Sequence, residues 1–88
     1  MKILKIGSKT CQECKTMKPR FAEIEKEYPW LKTEYIGIDK KPEAIKKYQV
    51  LSMPTFIFFD KNNKEFKRFT GIVKKDVLIR AILENKDK

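Results

Sequence analysis

The sequence predicts an α/β fold: a mixed four-stranded sheet with helices on both faces, in the order β-α-β-α-β-β-α. Short apolar blocks closed by turn residues alternate with segments whose apolar residues recur at spacings of three and four, which is the signature of strands alternating with amphipathic helices. The block Thr55–Phe59 is apolar and aromatic-rich, as expected of a strand covered on both faces. Only a short polar turn separates it from the next strand-like block, so the last two strands should form an antiparallel hairpin, whereas the earlier strand-helix-strand connections should be parallel.

Each element follows from local pattern. Residues 2–6 are apolar and bounded by Gly7-Ser8, a first strand ending in a turn. Cys14, Met17, Phe21, Ile24 and Tyr28 then form one apolar stripe along a helix of about five turns. Thr10 and Glu13 stand in the relation of a capping box, which puts the helix start at or beside Cys11; Pro19 should kink the helix and Pro29 end it. Residues 32–39, with Tyr35, Ile36 and Ile38, read as a second strand that Gly37 weakens. Pro42 suits a first helical position, and the good helix formers after it run to Tyr48. Residues 55–59 form the third strand, 60–64 a turn, and 65–69, with Phe66 and Phe69, the fourth strand, closed by Gly71. Residues 74–84 carry Val77, Leu78, Ala81 and Ile82 on one helical face, and 85–88 read as a frayed polar end.

At 88 residues the sequence predicts one domain, 1–88, with no internal repeat or linker. The longest apolar stretch, Phe56–Phe59, is far short of the roughly 20 residues a membrane-spanning helix needs, so no membrane association is expected. The start, Met1-Lys2-Ile3-Leu4-Lys5-Ile6-Gly7, interrupts its apolar run with lysines and has no small-residue cleavage pattern, so it does not read as a signal peptide, and a cytoplasmic location is expected. The formal charge of +9 comes from 21 basic and 12 acidic residues spread over almost every segment. That distribution fits a lysine-rich solvated surface better than a nucleic-acid arm. Trp30 reads as an anchoring aromatic after the first helix, and the phenylalanines read as core.

The chemistry is concentrated at Cys11-Gln12-Glu13-Cys14, a C-x-x-C between a strand-ending turn and a helix start. A bridge between residues so close in sequence constrains the unfolded chain little, so reactivity explains the pair better than stability does. At a helix N-terminus the free N–H groups and the dipole favour a thiolate, which makes Cys11 the expected nucleophile, with Lys9 and Lys15 acting in the same direction. Cys14, on the apolar stripe, is the expected resolving thiol. Local features leave two other readings open, inert thiols or half of a zinc site. Zinc lacks ligands, since there is no histidine and no third cysteine. No glycine-rich phosphate loop or catalytic histidine calls for a cofactor.

A resemblance covering nearly the whole chain adds to this reading. Cys11-Gln12-Glu13-Cys14-Lys15 followed by Pro19 is similar to the C-x-x-C-K motif and kinking proline of the thioredoxin family. Asp39, Pro42-Glu43, Tyr48, Val50 and Ser52-Met53-Pro54-Thr55 resemble the family's run to its active-site proline, and Gly71 resembles its fourth-strand glycine. The resemblance implies a minimal thioredoxin-like fold, without the family's usual first strand and helix, closer to small thioredoxins than to glutaredoxins. It implies a cis Pro54 against the cysteines, Met53 offering its backbone to an extended substrate, and Thr70-Gly71 lining the same groove. Departures from the family pattern mark Thr10, Gln12, Glu13 and Lys5 as residues expected to tune the site: Thr10 replaces a tryptophan, Gln12-Glu13 replaces Gly-Pro, and Lys5 stands where a buried acid is usual, with Tyr35 at the position of that acid's lysine partner.

Together these readings predict a monomeric thiol–disulfide oxidoreductase that reduces protein disulfides through Cys11 and Cys14. Its expected partners are disulfide-containing proteins and an unidentified reductase or low-molecular-weight thiol as electron donor. The rival is a binding module that uses the same scaffold and its basic surface to hold an acidic protein or nucleic acid.

Overall fold

The computed structural model describes residues 1–88. The elements are β1 (Lys2–Gly7), α1 (Gln12–Glu27), β2 (Lys32–Gly37), α2 (Glu43–Lys47), β3 (Thr55–Phe59), β4 (Glu65–Thr70) and α3 (Lys75–Glu84). They form a four-stranded sheet in the order β2-β1-β3-β4. The predicted α/β class, element order and mixed sheet are all present.

Strand directions differ from expectation in one respect. β1 and β2 are parallel, and β3 and β4 form the expected antiparallel hairpin, but β3 also runs antiparallel to β1. The cause is the length of the second connection. Gly37 lies beside Gly7 at the end of β1 from which α1 departs, and Thr55 pairs with Ile6 at that same end. A helix of five residues spans only about 7.5 Å, too little to carry the chain back along the sheet, so β3 must start where β2 stopped.

Residue alternation along the strands divides the core into two layers. Ile3 on β1 and Phe56 and Phe58 on β3 pack with Met17, Phe21 and Ile24 of α1 and Leu78, Ala81 and Ile82 of α3. Leu4 and Ile6 of β1, Ile36 of β2 and Ile57 of β3 turn the other way, onto Ala44 and Val50 at α2. The helices α1 and α3 thus share one face and α2 covers the other. Phe58 makes edge-to-face contacts with Phe66 and Phe69 across the hairpin, at centroid separations of 6.0 and 5.7 Å.

Three local expectations are corrected. Val77, expected on the buried face of α3, is 40% exposed, because the apolar strip of that helix is narrow and Leu78, Ala81 and Ile82 fill it. Trp30 is half exposed, its ring set edge-on to Tyr28 at 6.1 Å rather than anchored in the core. The C-terminal residues 85–88 are tied down instead of frayed. Asn85 donates its side-chain amide to the Ala81 carbonyl at 2.7 Å, the Lys61 amide donates to the Lys88 carbonyl, and the Lys88 ammonium lies 4.9 Å from the Phe66 ring centroid.

The β3–β4 turn is organised by Asp60, whose Oδ1 accepts from the amides of Asn62 and Lys64 at 2.8 and 3.0 Å. The Lys64 amide chiefly, with that of Asn62, holds the Asp60 carboxyl below its usual value of 3.8. A carboxylate with a lowered folded pKa contributes stability above its unfolded value and loses it as the pH falls through the folded one. Asp60→Ala is therefore expected to lower the melting temperature at pH 7, with the gap to the parent closing as the pH is brought down through the acid range. A gap of constant size from pH 7 to pH 2 in thermal melts would show that the carboxylate charge plays no part.

Candidate active site

β1 places Ile3, Lys5 and Gly7 on the face that meets α1, and this alternation builds the site. Ile3 is core, Lys5 is half-buried, and Gly7 is where α1 begins to press on the sheet. A Cβ added at Gly7 would lie 2.9 Å from Cys14 Sγ, so only a glycine lets the sulfur sit against the end of the strand. The turn that follows is held when the Lys9 amide donates to Asp39 Oδ2 at 2.8 Å, which ties the approach to α1 to the loop after β2.

Cys11 itself is the N-cap of α1. Its backbone is extended, with φ −82° and ψ 115°, and its Sγ accepts from the Cys14 amide at 3.1 Å. The capping box expected from Thr10 and Glu13 is not formed. Thr10 lies one residue outside the cap, and the cysteine sulfur takes the place of the capping oxygen. Glu13 is exposed and points toward β4, its Oε2 lying 3.3 Å from where a Cβ on Gly71 would sit. Gln12 is exposed in the first turn.

Cys11 and Cys14 are joined as a disulfide with Cα atoms 5.2 Å apart. Both are half-buried, so Cys14 is less buried than its place on the apolar stripe predicts. The stripe is fully buried only from Met17, one turn further along, because Cys14 lies at the rim where helix and sheet diverge. The two sulfurs differ in surroundings. Cys11 faces the open helix end, whereas Cys14 packs on Gly7 and lines a cavity of about 600 Å³ with Lys5, Tyr35, Pro54 and Phe56 among its walls.

The Met53–Pro54 bond is cis, and Pro54 is buried beside that cavity. The Pro54 carbonyl accepts from the Gly71 amide at 2.8 Å, and Gly71 has φ +77°, a conformation that favours glycine. Thr70 pairs with Thr55 and is exposed. Past Gly71 the chain is fastened to α1, since Arg20 donates to the Val73 carbonyl at 2.6 Å and the Val73 amide meets Met17 Sδ at 3.4 Å. The fold thus brings together Cys11, Cys14, Glu13, Pro54 and Gly71, with Met53 and Thr70 at the edge.

Lys5 does not reach solvent as a free charge. Its Nζ bonds Glu25 Oε2 at 2.5 Å, Thr33 donates to the same oxygen at 3.1 Å, and the ammonium sits 5.6 Å from the Phe21 ring centroid. Tyr35, directly opposite Lys5 on β2, is 58% exposed and flanks the cavity. Sequence reasoning missed Glu25, which is 20 positions from its partner and has no local signature. It also read Gly7 only as a turn residue, although a glycine ending a strand just before a C-x-x-C was the available signal.

Comparison with known proteins accords with this geometry. The thioredoxin family profile matches residues 2–84. The chain belongs to the thioredoxin family. Among characterised thioredoxins it is similar to thioredoxin H5 of Oryza sativa subsp. japonica, 36% identical over 69 residues that cover 78% of this chain and 50% of the rice protein. It is also 36% identical to the thioredoxin of Chlamydia trachomatis over 72 residues, 82% of this chain and 70% of that protein. The chain therefore spans between 50% and 70% of the length of these relatives. Among solved structures, a thioredoxin from Nicotiana alata superposes with a TM-score of 0.86 at 28% identity, covering 96% of this chain and 71% of that one. The minimal thioredoxin fold is thus present, with Lys5–Glu25 and Gly7 packed beneath the cysteines.

Two outcomes test that packing. The Lys5–Glu25 side chains are 19% and 33% exposed, between a surface pair worth about 0–1 kcal/mol and a buried one costing about 3–5 kcal/mol to break. Glu25→Gln should leave the Lys5 charge against Phe21 without a counter-ion and cost about 1–2 kcal/mol in urea unfolding, whereas Lys5→Met should cost less, because its face is otherwise apolar. Equal losses would mean that the pair acts only through packing. Gly7→Ala should slow disulfide reduction several-fold and lower the melting temperature, since its Cβ must push Cys14 away; unchanged kinetics in a stopped-flow assay would show that the cysteine tolerates the displacement.

Proposed function

We propose that this thioredoxin-family protein is a thiol–disulfide oxidoreductase that reduces protein disulfides by a dithiol mechanism. The observation that carries the reading is the Cys11–Cys14 pair at the start of α1, with Cys11 as the helix cap. Once reduced, Cys11 would sit among the unpaired amides of the first turn, which favour its thiolate and make it the attacking sulfur. It attacks a substrate sulfur, the other substrate sulfur leaves as a thiolate, and a mixed disulfide forms. Cys14 then loses its proton and attacks Cys11 Sγ, releasing the second substrate sulfur and restoring the Cys11–Cys14 bridge. Two electrons have passed to the substrate.

Met53, Pro54, Thr70 and Gly71 form the groove in which we place the substrate backbone, with Met53 pairing to it. Supporting this is the Gly71-to-Pro54 hydrogen bond, which holds the two sides of the groove together. Leu51 and Ile72, exposed and close in sequence to Met53 and Gly71, would offer apolar contacts to such a substrate. Gln12, Glu13 and Lys5 tune the pair: Glu13 opposes the positive helix end, whereas Lys5, though neutralised in part by Glu25, lines the cavity with Cys14. Thr10, exposed one residue before the cap, would place no bulky ring beside Cys11. A reductase or small thiol would return the disulfide to the dithiol, and a reducing cytoplasmic setting suits that cycle. No helix is long and apolar enough to cross a membrane.

The experiment compares single-cysteine variants incubated with a disulfide peptide. Cys14→Ser should accumulate a mixed disulfide through Cys11, visible by mass spectrometry and released by reductant, whereas Cys11→Ser should trap almost none. Equal trapping by both variants, or by neither, would defeat the assignment of Cys11 as nucleophile.

A further inference from the structure

Beside the disulfide, the cavity between β1 and α1 combines an apolar floor with walls of one charge. Phe21 and Phe56 form the floor, and Lys5, Lys9, Lys15 and Lys18 are its only charged lining residues. Its volume of about 600 Å³ lies within the range of about 300–1,000 Å³ usual for ligand sites. Lys5 is matched by Glu25, but Lys9, Lys15 and Lys18 take part in none of the ion pairs of the structure. The cavity adjoins a smaller one, of about 280 Å³, that adds Lys40 and Lys41. The single acid there, Asp39, has one carboxylate oxygen engaged by the Lys9 amide.

The charge around the disulfide is therefore one-sided. The lysine-walled cavity reaches Tyr35 of β2, and Lys9, Lys40 and Lys41 border that strand, while Glu13 lies toward Gly71 at the end of β4. A substrate lying across Pro54 meets positive charge on the first side and a carboxylate on the second.

We propose that the preferred substrates are disulfides flanked by acidic side chains, whose carboxylates occupy the lysine-walled cavity beside Cys14. This rests on the disulfide reduction proposed above and names the class of substrate for it. The lysines act in two ways. They raise the local concentration of an acidic substrate, and they stabilise its carboxylates in a cleft with a low-dielectric floor. The effect belongs to the cavity and is separable from the net charge of +9.

The test uses three synthetic peptides with the same intrachain disulfide, flanked on one side by two glutamates, two lysines or two serines, and measures the second-order rate of their reduction by the pre-reduced protein. At low ionic strength the acidic peptide should react about 10-fold faster than the serine peptide and the basic peptide slower, and the spread should shrink at 0.5 M salt, where the screening length is only about 4 Å. Lys9→Glu/Lys18→Glu should reverse the order. Lys61→Glu/Lys86→Glu makes the same change in formal charge at the opposite end of the sheet, where the Lys61 amide bonds the Lys88 carbonyl, and should keep the order. Lys9→Gln/Lys18→Gln, a milder change at two exposed positions, should abolish the preference and serves if the glutamate variant does not fold.

Reduction of the serine peptide with no preference for the acidic one would overturn the proposal and leave the oxidoreductase reading standing. Equal loss of preference in the near and distant double variants would also overturn it, because overall charge would then be the cause. No reduction of any peptide would overturn both readings.

Discussion

The constraint on which the structure depends is the central position of β1. It is hydrogen-bonded to β2 on one edge and β3 on the other, so its side chains have only two directions in which to point. Leu4 and Ile6 go to α2, while Ile3, Lys5 and Gly7 go to α1. A shift of one residue in its register would exchange these sets, put Lys5 into the smaller core and remove the glycine that receives Cys14. Fold and site are thus set by the same alternation.

The α1-facing side of β1 is graded from core to chemistry. Ile3 is fully buried, Lys5 is paired at the cavity wall, and Gly7 ends the strand where α1 begins. α1 repeats the gradient, from buried Ile24, Phe21 and Met17 to half-buried Cys14 and Cys11. The cysteines are therefore carried by a helix whose lower turns are locked in the core, while their sulfurs remain at the surface. That combination suits thiol exchange, which needs both access and a fixed helix end.

Lys5 shows how the fold accommodates a residue its position would seem to exclude. A charge facing Phe21 and Phe56 loses solvation, and Glu25 of α1 and Thr33 of β2 complete its environment. The positive charge of the cavity beside Cys14 therefore comes from Lys9, Lys15 and Lys18, which line it and take part in no ion pair, and not from Lys5.

The sequence by itself determined the element order, the helix that begins at the cysteines and the hairpin. These depend on local periodicity, turn chemistry and motif spacing, all of which act over a few residues. Pro54 and Gly71 were implied only by the motif resemblance; in the structure Pro54 lines the cavity with Cys14, and Gly71 bonds the Pro54 carbonyl. Only the tertiary structure decided the direction of β3, because that depended on whether α2 could span the sheet. It also decided that Cys11 and not Thr10 caps α1, that Cys14 lies at a rim instead of inside the core, and that Lys5 is paired with Glu25. Each of these rests on contacts between segments distant in the chain, or on how far a helix diverges from the sheet beneath it. Periodicity records which side of an element is apolar; it does not record where along that side the burial ends.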